Sequence, residues 1–310
     1  PAWSADRALE KVGKPTPRID GVQRVTGRAR YTADVVLPGM LHARILRSPS
    51  PRARVLRVDA SRALALPGVH SVLHRFNAPK AAFRGEETIF RDEVRFVGDE
   101  VAAVAAGSEE IAEEALRLIH VDYEVLPYVV DLEEAIRDDA PRIEERGNVS
   151  DSGSHDRGDV KRALHDAQVV VEGTYRTSTQ MHNSMETHGA VATWDGDRLT
   201  VYESTQHIFG VRTGLQAALR IPYSRIRVIC EDMGGGFGSK GGVGKYTIIA
   251  ALFARELGVP VRCVLTREEE NLAAGNRSAT LQRLRVGIRD GRIAAIEHVS
   301  YSNAGQGRNP

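Results

Sequence analysis

Apolar positions recur along this chain with two periods, and the period switches from one segment to the next. Alternation over 41–46 and again over 55–58 predicts two strands. A short helix from Asp59 or Ser61 to Ala65 follows, and Pro67-Gly68 turns the chain into a strand at 69–73. Phe96-Val97 and the apolar run 101–105 flank a turn at Gly98-Asp99. Ser108 is placed to cap a helix whose first turn carries Glu109 and Glu110 and whose apolar face holds Ile111, Ala115, Leu116 and Ile119. A strand at 121–125 ends at Pro127.

Residues 1–18 read as an extended arm in which Pro15 and Pro17 block regular structure. The next unit, 19–140, is an α/β domain. Residues 141–158 are polar, rich in Ser, Asn and Gly, and read as a linker to a second unit over 159–310. There Asp159 caps a helix at 160–166, 169–175 is a strand, and 190–193 and 199–203 form a hairpin around Asp195-Gly196-Asp197. A helix near 208–219 presents Val211, Leu215, Ala218 and Leu219 to the core. Strand 226–230 runs into a glycine-rich loop. Beyond it Tyr246, Ile249, Ala250, Phe253, Ala254 and Leu257 form a helical stripe that Gly258 and Pro260 end. Strand 261–265 and a hairpin of 284–288 with 293–301, turning at Asp290-Gly291, complete the pattern. The fold class is α+β.

Composition narrows the functions. With 42 Lys+Arg, 41 Asp+Glu and a net charge of +1, nothing favours a nucleic-acid or membrane partner. No apolar run approaches the roughly 20 residues that span a bilayer. The two cysteines, Cys230 and Cys263, each lie in an apolar run and read as buried free thiols in a reducing compartment. Without a CxxC pair, no iron–sulfur or structural zinc site of the usual spacing is expected.

The candidate chemistry lies in Met233-Gly234-Gly235-Gly236-Phe237-Gly238-Ser239-Lys240-Gly241-Gly242, between a strand and a helix. Such glycines let backbone amides approach an anion, the following helix N-terminus adds partial positive charge, and Lys240 would add a full one. A turned connection without ligand remains the alternative. A P-loop is excluded because Gly244-Lys245 is followed by Tyr246. The dinucleotide pattern Gly-x-Gly-x-x-Gly does match at Gly236, Gly238 and Gly241, which keeps an NAD(P)-dependent oxidoreductase as the second reading. Its acidic ribose partner would have to come from Glu268, Glu269 or Glu270, later than the usual spacing. His182 and Glu186 would face one metal from a helix, but with no third ligand the segment 181–188 reads as packing and local hydrogen bonding. Ser204-Thr205-Gln206 reads as a helix N-cap, or as a polar site in which Gln206 donates or accepts. Glu203 and Glu231, which end strands, read as structural.

The order of these segments resembles the molybdenum-binding large subunit of the xanthine dehydrogenase/aldehyde oxidase family. The likeness is carried by Ile19-Asp20-Gly21 with 27–34, by 94–102, by 158–160 with 173–175 and 182–188, and by Ser204-Thr205-Gln206 with 234–240. It implies a hammerhead-like α/β domain followed by an incomplete first molybdopterin-binding domain. It implies that Gln206 contacts an oxo ligand of molybdenum, and that Gly236, Phe237 and Gly238 lie against the pterin and the metal's other ligands, with no direct protein ligand to the metal. The implied cofactor is molybdopterin cytosine dinucleotide. The implied reaction is oxidation of an aldehyde or N-heterocycle with water as oxygen source. Electrons then leave through 2Fe-2S and FAD groups on partner subunits, in the cytoplasm or, alternatively, in the periplasm after export with a partner. Gly241 stands where xanthine-oxidising members carry a purine-contacting Glu, which makes it the substrate-pocket candidate and favours other substrates. The family's general-base Glu lies in a half that has no counterpart here. No catalytic residue is therefore assigned to this chain, which is expected to be inactive without the remaining half of the large subunit.

Overall fold

The structure, a computed structural model, describes residues 9–83, 85, 88–143, 147–149 and 152–303. Residues 1–8 of the expected arm, and 144–146 and 150–151 of the expected linker, lie outside them. Thirteen strands occur among the described residues: β1 (Leu41–Arg47), β2 (Ala53–Asp59), β3 (Val69–His74), β4 (Glu93–Val94), β5 (Glu100–Ala106), β6 (His120–Val125), β7 (Val169–Thr177), β8 (Gly189–Asp195), β9 (Arg198–Glu203), β10 (Ile226–Ile229), β11 (Val261–Val264), β12 (Thr280–Arg289) and β13 (Arg292–Ser302). They form a seven-stranded sheet ordered β10-β9-β8-β11-β1-β5-β3 and two three-stranded sheets, β4-β2-β6 and β13-β12-β7.

The large sheet crosses the boundary between the two sequence segments, because β1 pairs in parallel with β11 and antiparallel with β5. Side-chain alternation on β5 divides the core. Ala103 and Ala105 face one cluster, with Ala43, Ala190, Val261 and the helix Lys245–Leu257; Ala102, Val104 and Ala106 face another, with Ala112 and Ala115 of the helix Glu109–Leu118. Small residues on a strand buried on both faces let helices approach closely from either side. The helix Lys245–Leu257 departs from the one-sided stripe its sequence suggests: every residue from Lys245 to Ala254 is buried, so its first three turns run through the core.

Side-chain caps start two of the helices where the sequence puts them. Ser108 Oγ accepts from Ile111 N, and Asp159 caps Val160–His165 by accepting from Arg162 N. Asp290 and Gly291 both have positive φ, as a tight β12–β13 turn demands. A buried charge network ties the segments together. Lys245 Nζ lies 3.0 Å from Asp99 Oδ1 and 2.7 Å from Glu100 Oε2, while Arg47 reaches Glu100 at 3.1 Å and Glu269 at 2.9 Å. Burial works to raise the Glu100 carboxyl, but the Lys245 and Arg47 charges prevail and hold it at about 2.

Candidate functional site

β9 ends at Glu203 and the helix begins at Ile208, so Ser204, Thr205 and Gln206 lie on the connection between strand and helix. They do not cap that helix. Its N-cap is His207, without a side-chain bond. Instead Thr205 Oγ1 donates to the carbonyl of Lys240 at 3.0 Å, and Gln206 N donates to the same carbonyl at 2.8 Å. Ser204 Oγ donates to Glu186 Oε2 at 2.6 Å. The expected cap is thus a clamp on the glycine loop, and the Thr205 hydroxyl that makes it also accepts from His207 N at 3.0 Å.

Gln206 faces the loop with its carboxamide. Its Oε1 accepts from Gly238 N at 2.8 Å. A Cβ on Gly236 would lie 2.5 Å from that oxygen, so glycine is required for the close approach. Gly235 and Gly238 have φ of 103° and 99°. Phe237 has φ of 51°, a left-handed conformation costly for an aromatic residue, and the residue is 62% exposed. Strain and an exposed aromatic residue at one position are poor for stability and make sense where that residue meets a ligand.

Two expectations are corrected here, the direction of Lys240 and the burial of Cys230. Lys240 does not supply charge to the mouth of the loop. Its side chain is 0% exposed, and Nζ donates to the Glu186 carbonyl at 2.8 Å and to Ser204 Oγ at 2.6 Å, with Glu186 Oε2 at 3.4 Å. Burial lowers its pKa, and the neighbouring Glu186 and Glu270 charges oppose that shift. The segment that holds His182 and Glu186 is irregular rather than helical, and Glu186 makes hydrogen bonds there, in line with the packing and hydrogen-bonding role read for it. Cys230 is only half-buried, whereas Cys263 is buried and its thiol is pushed up to about 12 by desolvation.

Several contacts that matter most were not predicted from sequence. Glu186 Oε2 accepts from Gly234 N at 2.7 Å as well as from Ser204, and Oε1 accepts from Thr32 N at 3.3 Å. Asp232, just before the loop, accepts from Arg30 N at 3.0 Å and pairs with Arg24 at 2.9 Å. His188 is buried with Nδ1 2.9 Å from both Glu270 oxygens and Nε2 3.2 Å from the Ser239 carbonyl. Burial works against the Glu270 carboxylate, yet the His188 ring and amide hold its pKa below the usual value. The loop is therefore braced by buried hydrogen bonds from the segments around 30, 186, 205 and 270. The apparent His182–Glu186–His188 pattern was the available signal, and it carried bracing rather than metal.

The dinucleotide reading fails on architecture. The large sheet is mixed, β10 lies at its edge, and the helix after the loop has its N-cap at Gly244, beyond Gly241. Glu269 and Glu270 are engaged by Thr266 and His188.

Comparison with known proteins decides between an anion loop in general and a specific cofactor. A molybdopterin cofactor-binding domain profile matches residues 143–309, and the hammerhead domain of aldehyde oxidase and xanthine dehydrogenase matches residues 26–127. The chain belongs to the xanthine dehydrogenase/aldehyde oxidase family of molybdenum hydroxylases. It is 38% identical over 83% of its length to a probable xanthine dehydrogenase subunit of Bacillus subtilis, of which it spans 35%. It is 33% identical over 95% of its length to the nicotinate dehydrogenase large molybdopterin subunit of Eubacterium barkeri, of which it spans 71%. The solved quinoline 2-oxidoreductase of Pseudomonas putida 86 superposes with a TM-score of 0.86 at 33% identity, over 93% of this chain and 39% of that one. The α+β architecture and the molybdopterin-binding domain expected from sequence are both found, and no comparison supports the NAD(P) reading. No helix among the described residues is long and apolar enough to cross a membrane.

Proposed function

We propose that the loop 234–241 and Gln206 hold the molybdopterin of a hydroxylase large subunit, with the cofactor in its cytosine dinucleotide form. The observation that carries this reading is the Gln206 carboxamide. Its oxygen is fixed by Gly238 N–H, which leaves the Nε2 amide hydrogens, without an acceptor among the described residues, to a ligand oxygen. The amides of Gly235, Gly236 and Phe237 likewise have no protein acceptor among the described residues. These donors, the close approach of Gln206 that glycine at 236 permits, and the exposed Phe237 fit an anionic, planar cofactor. When bound, that group supplies two-electron oxidation of an aldehyde or N-heterocycle, with water as the oxygen source. This chain's residues position it: Glu186, Lys240 and His188 hold the loop, and Gly241, exposed beside Gly238, leaves room at the substrate side.

General-base work requires an ionised carboxylate within reach of the reacting water. Glu203 does not qualify. It is fully buried under the Tyr246 hydroxyl at 3.0 Å, and desolvation pushes its carboxyl up to about 8. Glu186 and Glu270 are spent on bracing. The family resemblance puts the base in the part of the large subunit that this chain does not span, and gives the electrons to 2Fe-2S and FAD groups on partner subunits. The cytoplasm is the favoured site, with export beside a partner as the alternative.

The test is molybdenum and pterin-nucleotide analysis of the assembled enzyme, wild type and Gln206→Ala. Molybdenum and cytosine nucleotide are expected in the wild type, with both content and turnover reduced by at least about tenfold in the variant. An assembly without molybdenum, or a variant with undiminished activity, overturns the proposal.

A further inference from the structure

The sheet β13-β12-β7 has two unlike faces. On one, Arg285 pairs with Glu172 at 2.7 Å and Glu297 at 3.0 Å, and the helix Val160–His165 packs near Gly287 and buried Ala295. The strand register puts a different set on the other face. Val171, Val286 and Ile296 lie side by side across the three strands, and Val169, Ile288 and Ile293 form the next row. All six are β-branched. Val169, Val171 and Ile296 are each 53% exposed and Ile293 66%. A sheet with one face of contiguous branched aliphatics is built to be covered, since leaving such a face in water forgoes the burial that stabilises the layer.

We infer that this face docks the polypeptide that completes the large subunit, the part of the family's subunit that this chain does not span. The inference rests on the molybdenum hydroxylase reading above. Relatives that share the fold over nearly the whole of this chain differ widely in length: the chain spans 35% of the Bacillus relative and 39% of quinoline 2-oxidoreductase but 71% of the Eubacterium one. Large relatives thus carry much further chain beyond the part that matches this one. β13 is an edge strand of the bare sheet and the last element described, so the chain that follows it in the longer relatives departs from this sheet. The two aliphatic rows carry no charge, which suits a permanent intrasubunit layer better than an electron-transfer partner that must come and go.

A photo-crosslinking residue decides the occupant. Tyr175, 56% exposed on the same face, is replaced as Tyr175→benzoylphenylalanine in the assembled, molybdenum-loaded enzyme, and the adduct is mapped by mass spectrometry. The expected adduct lies in the large-subunit polypeptide beyond this chain. An adduct on a second copy of this chain or on an iron–sulfur or FAD subunit overturns the inference. So does the absence of any adduct in an enzyme that holds molybdenum, and that result leaves the cofactor reading standing. An assembly with neither adduct nor molybdenum removes both. Val171→Lys with Ile296→Lys is expected to lower the yield of the assembled subunit by roughly tenfold or more, since it would bury unpaired charge. The melting temperature of the 310-residue chain should not change, because both side chains are half exposed in it. Undiminished assembly by a normally folded double variant overturns the inference.

Discussion

The ammonium of Lys240 meets Glu186 twice, at the carbonyl oxygen 2.8 Å away and at the carboxylate 3.4 Å away, in a pocket where the lysine side chain has no solvent exposure. Glu186 in turn holds the first amide of the glycine loop through Gly234. A buried cation on the protein side of the loop thus fixes the shape of the loop's other side.

Lys240→Met leaves Glu186 in a largely buried site without its cation. We expect a loss of about 3–5 kcal/mol in urea unfolding, the usual cost of breaking a buried pair. The double variant with Glu186→Gln should lose less than the sum of the single losses by more than about 1 kcal/mol. Additive losses would show that the two residues act independently.

Gly236→Ala places a methyl group 2.5 Å from Gln206 Oε1 and must displace the carboxamide. Cofactor content is expected to fall severalfold while chain stability changes by only about 1 kcal/mol. Molybdenum analysis beside thermal melts checks this. Equal cofactor content in the variant would separate Gln206 from binding.

Glu203→Gln tests a buried carboxyl that desolvation pushes up to about 8. Its folded pKa exceeds the ordinary value of 4.5, so the folded chain keeps a proton that the unfolded chain releases. The wild type therefore loses stability as pH rises from about 4.5 to about 8. Gln carries no such penalty. The variant should gain on the wild type by about 3 kcal/mol between pH 5 and pH 7.5, read as the difference between their unfolding free energies across pH. A constant difference would mean that Glu203 is already ionised in the fold.

Glu100 behaves oppositely. Its carboxyl is held at about 2, so its contribution is present above the unfolded value of 4.5 and disappears as pH falls through about 2. Glu100→Gln should cost about 3–5 kcal/mol at pH 7 and flatten acid unfolding between pH 4.5 and 2. Because Lys245 and Arg47 come from different sequence segments, amide exchange should rise in both β1 and the helix Lys245–Leu257.

Local chemistry was legible in the sequence. Ser108 and Asp159 announced helix starts because an N-cap needs only a side-chain oxygen and an amide three residues on. Strand alternation located β1, an unbroken apolar run located β5, a turn at Asp195-Gly196-Asp197 located β9, and the glycine-rich run 234–238 marked a backbone that must bend where side chains cannot. Gln206 was found through its neighbours and its resemblance, and the structure sets it against that loop. What only the tertiary structure decided lies at long range. Thr32 reaches Glu186 across 154 positions, Arg30 reaches Asp232 across 202, and His188 meets Glu270 across 82. No local period encodes such pairs. The direction of Lys240 was decided in the same way: a lysine beside a glycine loop can face the ligand or the core, and the buried acceptors of Glu186 and Ser204 turn it inward. The branched residues of β7 mark a strand in the sequence, but whether a strand's apolar face is covered depends on which layer arrives to cover it.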